Sequence, residues 1–194
     1  MASGAHLALV RIAHELWNRG LVSGSSGNLS ARLDDGSLLI TPTGCAFARV
    51  TPADLVHCDP AGTPRNAGQR PSVERPLHLA AYRARPDIRY VVHTHPTFCV
   101  VWSQAGRLFP RDTVAAIESL AAMAWVPFAP SGSIELADAV AGGLSTGAPL
   151  ALLENHGLIA VSDDIDTAFI QTDLAEACAQ VAYYAAAWKS GIVT

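Results

Sequence analysis

Apolar positions change period several times along the chain, and each change marks an element. From Ala5 to Arg19, Leu7, Val10, Leu16 and Trp17 fall near helical spacing, with Gly20 as a stop. A run of small residues, Ser23 to Asn28, separates this helix from a strand over Asn28 to Leu33. Asp34-Asp35-Gly36 is a hairpin signal, and Leu38 to Thr41 reads as the return strand. Thr51-Pro52 reads as an N-cap with proline at the first helical position. Leu55 to Cys58 forms a further strand before the Pro60-Ala61-Gly62 turn.

In the second half, Pro71-Ser72-Val73-Glu74 precedes a helix that runs to about Arg85, before Pro86. The β-branched run ending at Val91-Val92-His93 is a strand, and Thr97 to Gln104 a short helix. Ala124 to Phe128 reads as a strand, and Ile134 to Leu144 as a helix capped by Ser133. Leu150 to Glu154 and Leu158 to Val161 are buried strands on either side of a break at His156-Gly157. Asp164 to Trp188 is helical in composition; its small residues among Tyr183, Tyr184 and Trp188 predict core packing, with aromatic residues near its end lining a neighbour's pocket as the alternative. Hairpins mixed with helices predict an α/β fold: one three-layer α/β/α domain over residues 1–194 with a largely antiparallel central sheet.

Composition narrows the class. Half of the 194 residues are apolar and only 15% are charged, so burial beyond one subunit's core is expected. The net charge is −4, Lys189 is the only lysine and no basic run occurs, which argues against nucleic acid. Cys45, Cys58, Cys99 and Cys178 show no C-x-x-C spacing and read as reduced thiols of a cytoplasmic protein. The N-terminus lacks a signal peptide's apolar core, and polar residues interrupt every long apolar stretch, so no membrane partner is expected.

The chemistry concentrates in histidines. His6, His14 and His78 lie on predicted helices and His57 near a strand end, where a surface or satisfied histidine is the ordinary reading. His93 and His95 differ: two residues apart on a strand, they point to one face. His156, in Glu154-Asn155-His156-Gly157, stands at another strand–turn junction. Three imidazoles with an open position are the ligand pattern of a catalytic metal site. Glu74, at a helix start favourable to a carboxylate, is the natural fourth member: a ligand that substrate displaces and that then moves protons. Ser25 to Asn28, Thr41-Pro42-Thr43-Gly44 and Ser72 are turn-like segments able to cradle an anion.

Five blocks in order then resemble the class II aldolase/adducin family, of the L-fuculose-1-phosphate aldolase kind. They are Ser26-Gly27-Asn28-Leu29-Ser30, Ile40-Thr41-Pro42-Thr43-Gly44, Pro71-Ser72-Val73-Glu74, Val92-His93-Thr94-His95-Pro96 and Glu154-Asn155-His156-Gly157-Leu158. The resemblance implies a divalent metal, most often Zn2+ (with Mn2+, Co2+ or Fe2+ as alternatives), on His93, His95 and His156, with Glu74 as ligand and acid/base. It implies a homotetramer with active sites between subunits, and substrate phosphate held by Asn28, Thr43, Gly44 and Ser72. The expected activity is carbon–carbon cleavage of a small hydroxy-ketone or sugar phosphate through a metal-stabilised enolate. Decarboxylation of a keto or hydroxy acid is the alternative; an iron oxygenase or a non-catalytic adducin-like role stands behind both. Two positions depart from the aldolase pattern. Val73 stands where a second serine is common, and Thr113 to Leu120 lacks the tyrosine that aldolases present to a neighbouring subunit, with Glu118, a water, Tyr183 or Tyr184 as candidate replacements.

Overall fold

The central strands carry near-continuous runs of buried residues, so both of their faces are covered. Helices must then cover both sides of the sheet. The computed structural model describes residues 4–105 and 109–191. Its elements in chain order are α1 (Gly4–Asn18), β1 (Asn28–Arg32), β2 (Leu38–Ile40), a 3-10 turn at Phe47–Arg49, β3 (Val56–Cys58), α2 (Arg75–Ala84) and β4 (Tyr90–Thr94). There follow α3 (Thr97–Ala105), α4 (Val114–Glu118), β5 (Met123–Val126), α5 (Ile134–Leu144), β6 (Leu150–Leu153), β7 (Gly157–Ser162) and α6 (Ile165–Lys189).

The seven strands form one sheet in the order β3-β2-β1-β4-β7-β6-β5. Every pair is antiparallel except β5–β6, as expected for a largely antiparallel sheet. Leu29, Ala31, Val92, Leu150, Leu152, Leu158 and Ala160 pack with α1, α3 and α6 on one face. Val91, Ala151, Leu153, Ile159 and Val161 pack with α2 and α5 on the other. The three-layer α/β/α expectation is met.

Local cap chemistry sets several element ends, at Ser133 as the sequence predicts. The Ser133 hydroxyl accepts from Leu136 N at 3.0 Å, and Asp164 caps α6 by accepting from Thr167 N at 2.9 Å. Helix α3 is capped from a distance. The Glu176 carboxylate on α6 accepts from Phe98 N at 3.0 Å and Cys99 N at 2.9 Å, which satisfies free donors at that helix start and complements its dipole. Glu176→Ala is expected to cost about 2 kcal/mol, the usual scale for losing hydrogen bonds to a charged group. A lowered urea midpoint with an unchanged slope would record it.

Two expectations are corrected and one helix is added. Thr51 does not cap a helix: its N and Oγ1 bond Asp54 Oδ2 at 2.8 and 2.7 Å, which closes a local turn, and the only helical turn nearby precedes it at Phe47–Arg49. Helix α4 is not predicted by the hydrophobic pattern, because five residues are too few to show a period. The aromatic end of α6 is not core. Ala175, Ala179 and Ala182 are buried, but Tyr183, Tyr184 and Trp188 are exposed, Trp188 at 67%. The cysteines are unpaired as expected, with Cys58, Cys99 and Cys178 buried. No helix among the described residues is long and apolar enough to cross a membrane.

Candidate metal centre

The site is assembled where β4 ends, with contributions from β1, the start of α2 and the β6–β7 turn. Register across the sheet places Asn28 opposite His93, and His93 opposite Ile159. His93 is the next-to-last residue of β4, on the α2 face, and is fully buried. His95 lies one residue beyond the strand, so the shared strand face predicted for the pair is corrected in detail. The chain still returns His95 to the same side, with its Nε2 3.0 Å from His93 Nε2.

His156 arrives from the tight β6–β7 turn. Asn155 there has φ 56°, a left-handed conformation that asparagine tolerates better than most residues, and its N–H donates to Ser103 Oγ at 3.0 Å. Gly157 follows because the strands are too close for a side chain: a Cβ would collide with the Thr94 carbonyl oxygen and press on His93 and His95. The three imidazole centroids stand 4.8, 4.9 and 5.0 Å apart, each ring steeply tilted to the others.

Glu74 completes the cluster. It occupies the N-cap position of α2, yet its side chain makes no cap bond. Ser72 Oγ instead accepts from Glu74 N at 3.2 Å, and the carboxylate turns inward. Its Oε2 lies 3.2 Å from His93 Nε2 and its Oε1 3.3 Å from His156 Nε2. Burial opposes ionisation of this carboxyl, but hydrogen bonds from His156, His93 and Asn28 outweigh it and hold Glu74 well below the usual carboxylate range.

The donor set fits a divalent ion. The ligand atoms of Glu74, His93, His95 and His156 all lie within 4.8 Å of one another. Two nitrogens bound to one ion at roughly 2.0–2.1 Å sit about 3 Å apart, which matches the His93–His95 separation. His93 Nδ1 donates to the Leu158 carbonyl at 3.1 Å, the outer bond that fixes a ligand imidazole with Nε2 facing inward. His95 is held neutral, its pKa pushed down to about 3 by burial and then by the neighbouring His93 and His156 rings.

The predicted anion-binding residues divide. Asn28 and Ser72 are buried beside Glu74, with Asn28 Nδ2 donating to Glu74 Oε2 at 2.8 Å. Thr43 and Gly44 reach the same end of the sheet through a strand-like pairing. Pro42 bridges Pro71, Thr43 N donates to Arg70 O at 2.9 Å, and Ser72 N donates to Thr41 O at 3.1 Å. Among the described residues no hydrogen bond joins Thr43 or Gly44 to the four-ligand cluster. Glu118, a candidate replacement for the missing tyrosine, is exposed at the end of α4.

Sequence reasoning missed two participants. Ser131, on the loop before α5, donates to Glu74 Oε1 at 2.7 Å. Nothing local in Pro130-Ser131-Gly132 links it to a residue 57 positions earlier. His78 is not a surface histidine but fully buried in the network behind Glu74. Its signal was present, since it lies four residues after Glu74, on the same helix face.

Comparison with known proteins identifies the family. The family model described as Class II Aldolase and Adducin N-terminal domain matches residues 7–183. An L-fuculose phosphate aldolase of Methanococcus maripaludis is 34% identical over 175 residues, covering 90% of this chain and 93% of that protein. A 3-oxo-tetronate 4-phosphate decarboxylase of Haemophilus influenzae is 30% identical over 178 residues, 89% of this chain and 84% of its own. The crystal structure of an L-fuculose-1-phosphate aldolase from Thermus thermophilus superposes with a TM-score of 0.82 at 30% identity, covering 96% of each chain. With five motif blocks, the α/β/α fold and a matching family model over nearly its whole length, this chain belongs to the class II aldolase/adducin family.

Proposed function

We propose that this protein is a divalent-metal-dependent carbon–carbon lyase that cleaves a small hydroxy-ketone or sugar phosphate in a retro-aldol reaction, as a single class II aldolase-like domain. The observation that carries this reading is the convergence of the Glu74, His93, His95 and His156 donor atoms in a chain that aligns with aldolases. His93, His95 and His156 would hold the ion, with Glu74 as a displaceable fourth ligand. Zn2+ suits three imidazoles and a carboxylate. When bound, the cation supplies a Lewis acid that offsets the negative charge left on a carbonyl oxygen as the carbon–carbon bond breaks.

The chain's own groups do the rest. Glu74, kept ionised by its neighbours, moves a proton to and from substrate once it leaves the cation. Asn28 and Ser131 hold its two oxygens and limit where it can swing. Asn28, Thr43, Gly44 and Ser72 form the candidate cradle for an anionic substituent. The exposed Val114 and Ile117 of α4, together with Tyr183, Tyr184 and Trp188 of α6, support a homotetramer with sites completed between subunits. Four unpaired cysteines support a cytoplasmic setting.

Decarboxylation is the second reading. The decarboxylase relative and the lack of a tyrosine over 113–120 favour it, because release of CO₂ needs no group to take the proton from a hydroxyl that becomes the carbonyl of a departing aldehyde. Metal-loaded protein assayed against ketose phosphates, hydroxy-ketones and phosphorylated keto acids separates the two. Aldehyde release that a chelator abolishes is the expected result. CO₂ release without aldehyde would establish the second reading, and no turnover on the whole panel would defeat both.

A further inference from the structure

We propose that His78 is a positioning residue: its ring fixes the orientation of the Asn28 carboxamide, and through it the Glu74 carboxylate. The inference rests on the reading of Glu74 as a working group of a metal centre. It starts from a meeting of two periodicities. Glu74, His78 and Tyr82 recur every four residues on one face of α2, and Asn28 and Ser30 alternate onto the facing side of β1. Their side chains form one buried line of hydrogen bonds, with His78 and Ser30 both at 0% exposure.

The direction of each bond is forced by its neighbour. An ionised carboxylate only accepts, so Asn28 must turn its Nδ2 toward Glu74 Oε2, at 2.8 Å. The Asn28 oxygen then faces His78 Nε2, which must carry the proton. Burial holds His78 neutral, its pKa pushed down to about 3, so Nδ1 is left as an acceptor. The Ser30 hydroxyl fills it at 2.7 Å. Tyr82 closes the line, its hydroxyl 2.8 Å from Ser30 Oγ, with the Arg89 carbonyl 3.3 Å away as the longer option. Reversing the amide would set N–H against N–H at His78 and oxygen against carboxylate at Glu74, two penalties in one rotation. The line is not a proton conduit, because a carboxamide in its path does not relay protons as a hydroxyl does. Its effect is geometric: it aims one donor at one oxygen of the displaceable ligand.

The test uses Co2+ alone as probe, with turnover as a second readout. His78→Leu keeps an apolar volume but removes both bonds, and is expected to weaken Co2+ affinity in chelator competition about tenfold, the scale of outer-sphere substitutions. Its kcat should fall by a similar factor, with KM moving less. His78→Gln places an amide N–H near the Nε2 position and should recover most of both losses. In an Asn28→Ala background, His78→Leu should add less than about twofold, because the two residues act as one unit. Losses that multiply, or a His78→Leu protein with wild-type Co2+ affinity and absorption spectrum, would overturn the inference alone. Wild-type protein that takes up no Co2+ would overturn the metal reading and this inference with it. Should His78→Leu fail to fold, Ser30→Ala decides the question by the same readouts, since it removes only the hydroxyl that fills His78 Nδ1.

Discussion

Replacing His93 with alanine is expected to empty the metal centre and to remove turnover. His93 is the hub of the cluster, with Nε2 3.0 Å from His95 Nε2 and 3.2 Å from Glu74 Oε2. It is also the candidate ligand whose direction is best fixed, through Nδ1 and the Leu158 carbonyl at 3.1 Å. Alanine leaves two imidazoles that lack this common neighbour. Loss of several kcal/mol of Lewis-acid stabilisation corresponds to a fall in kcat/KM of roughly a thousandfold or more. The measurement is metal per protomer by atomic emission, taken beside turnover on the same sample. Loss of the fully buried ring also leaves a cavity and removes a buried hydrogen bond, so the variant should lose about 1–3 kcal/mol of stability. A folded variant that keeps its full metal content would remove the proposed site.

The second large effect is expected at Glu74. Glu74→Gln preserves shape and the acceptor for Asn28 but removes the proton-moving group. Metal should remain on the three histidines with somewhat weaker affinity, while kcat falls about 10²- to 10⁴-fold, the usual scale of general acid–base catalysis. Full activity restored by excess metal would reduce Glu74 to a ligand only. A pH experiment on metal-free protein tests the same side chain without turnover. Its carboxyl is held below the ordinary range in the folded state. The stability it contributes is therefore complete above the unfolded carboxyl's pKa of about 4.3 and is lost as pH falls below it. The stability gap between wild type and Glu74→Gln should shrink in that acid window. A gap that grew on acidification would contradict the assigned shift.

Much of the fold was legible because its signals are local. Ser133 announces the start of α5 and caps it as its chemistry requires. Asp34-Asp35-Gly36 announces the β1–β2 hairpin, whose register pairs Ala31 with Leu39. Thr51-Pro52 misled because a threonine–proline pair serves a tight turn as well as a helix start. The aromatic end of α6 misled because composition records that residues are apolar, not which side of a helix they occupy; Trp188 is apolar and exposed. Among the site residues, His93, His95, His156 and Glu74 were legible as ligand types at turn junctions. Ser131 was not, because its only relevance is a 2.7 Å contact across 57 residues of chain.

Short segments of sequence carried most of the elements, the layered class and the identity of the four candidate ligands. Side-chain period, cap chemistry and donor type are properties of short segments, and they survive without knowledge of what packs against them. Tertiary structure alone decided the sheet order that sets β4 between β1 and β7, and thereby placed Asn28 across from His93. It also decided that Glu74 abandons its cap for the imidazoles, and that His78 and Tyr82 on α2 interlock with Asn28 and Ser30 on β1. These outcomes depend on which buried donors and acceptors find each other once two distant segments meet. A buried polar group must be paired, but only the assembled fold selects its partner.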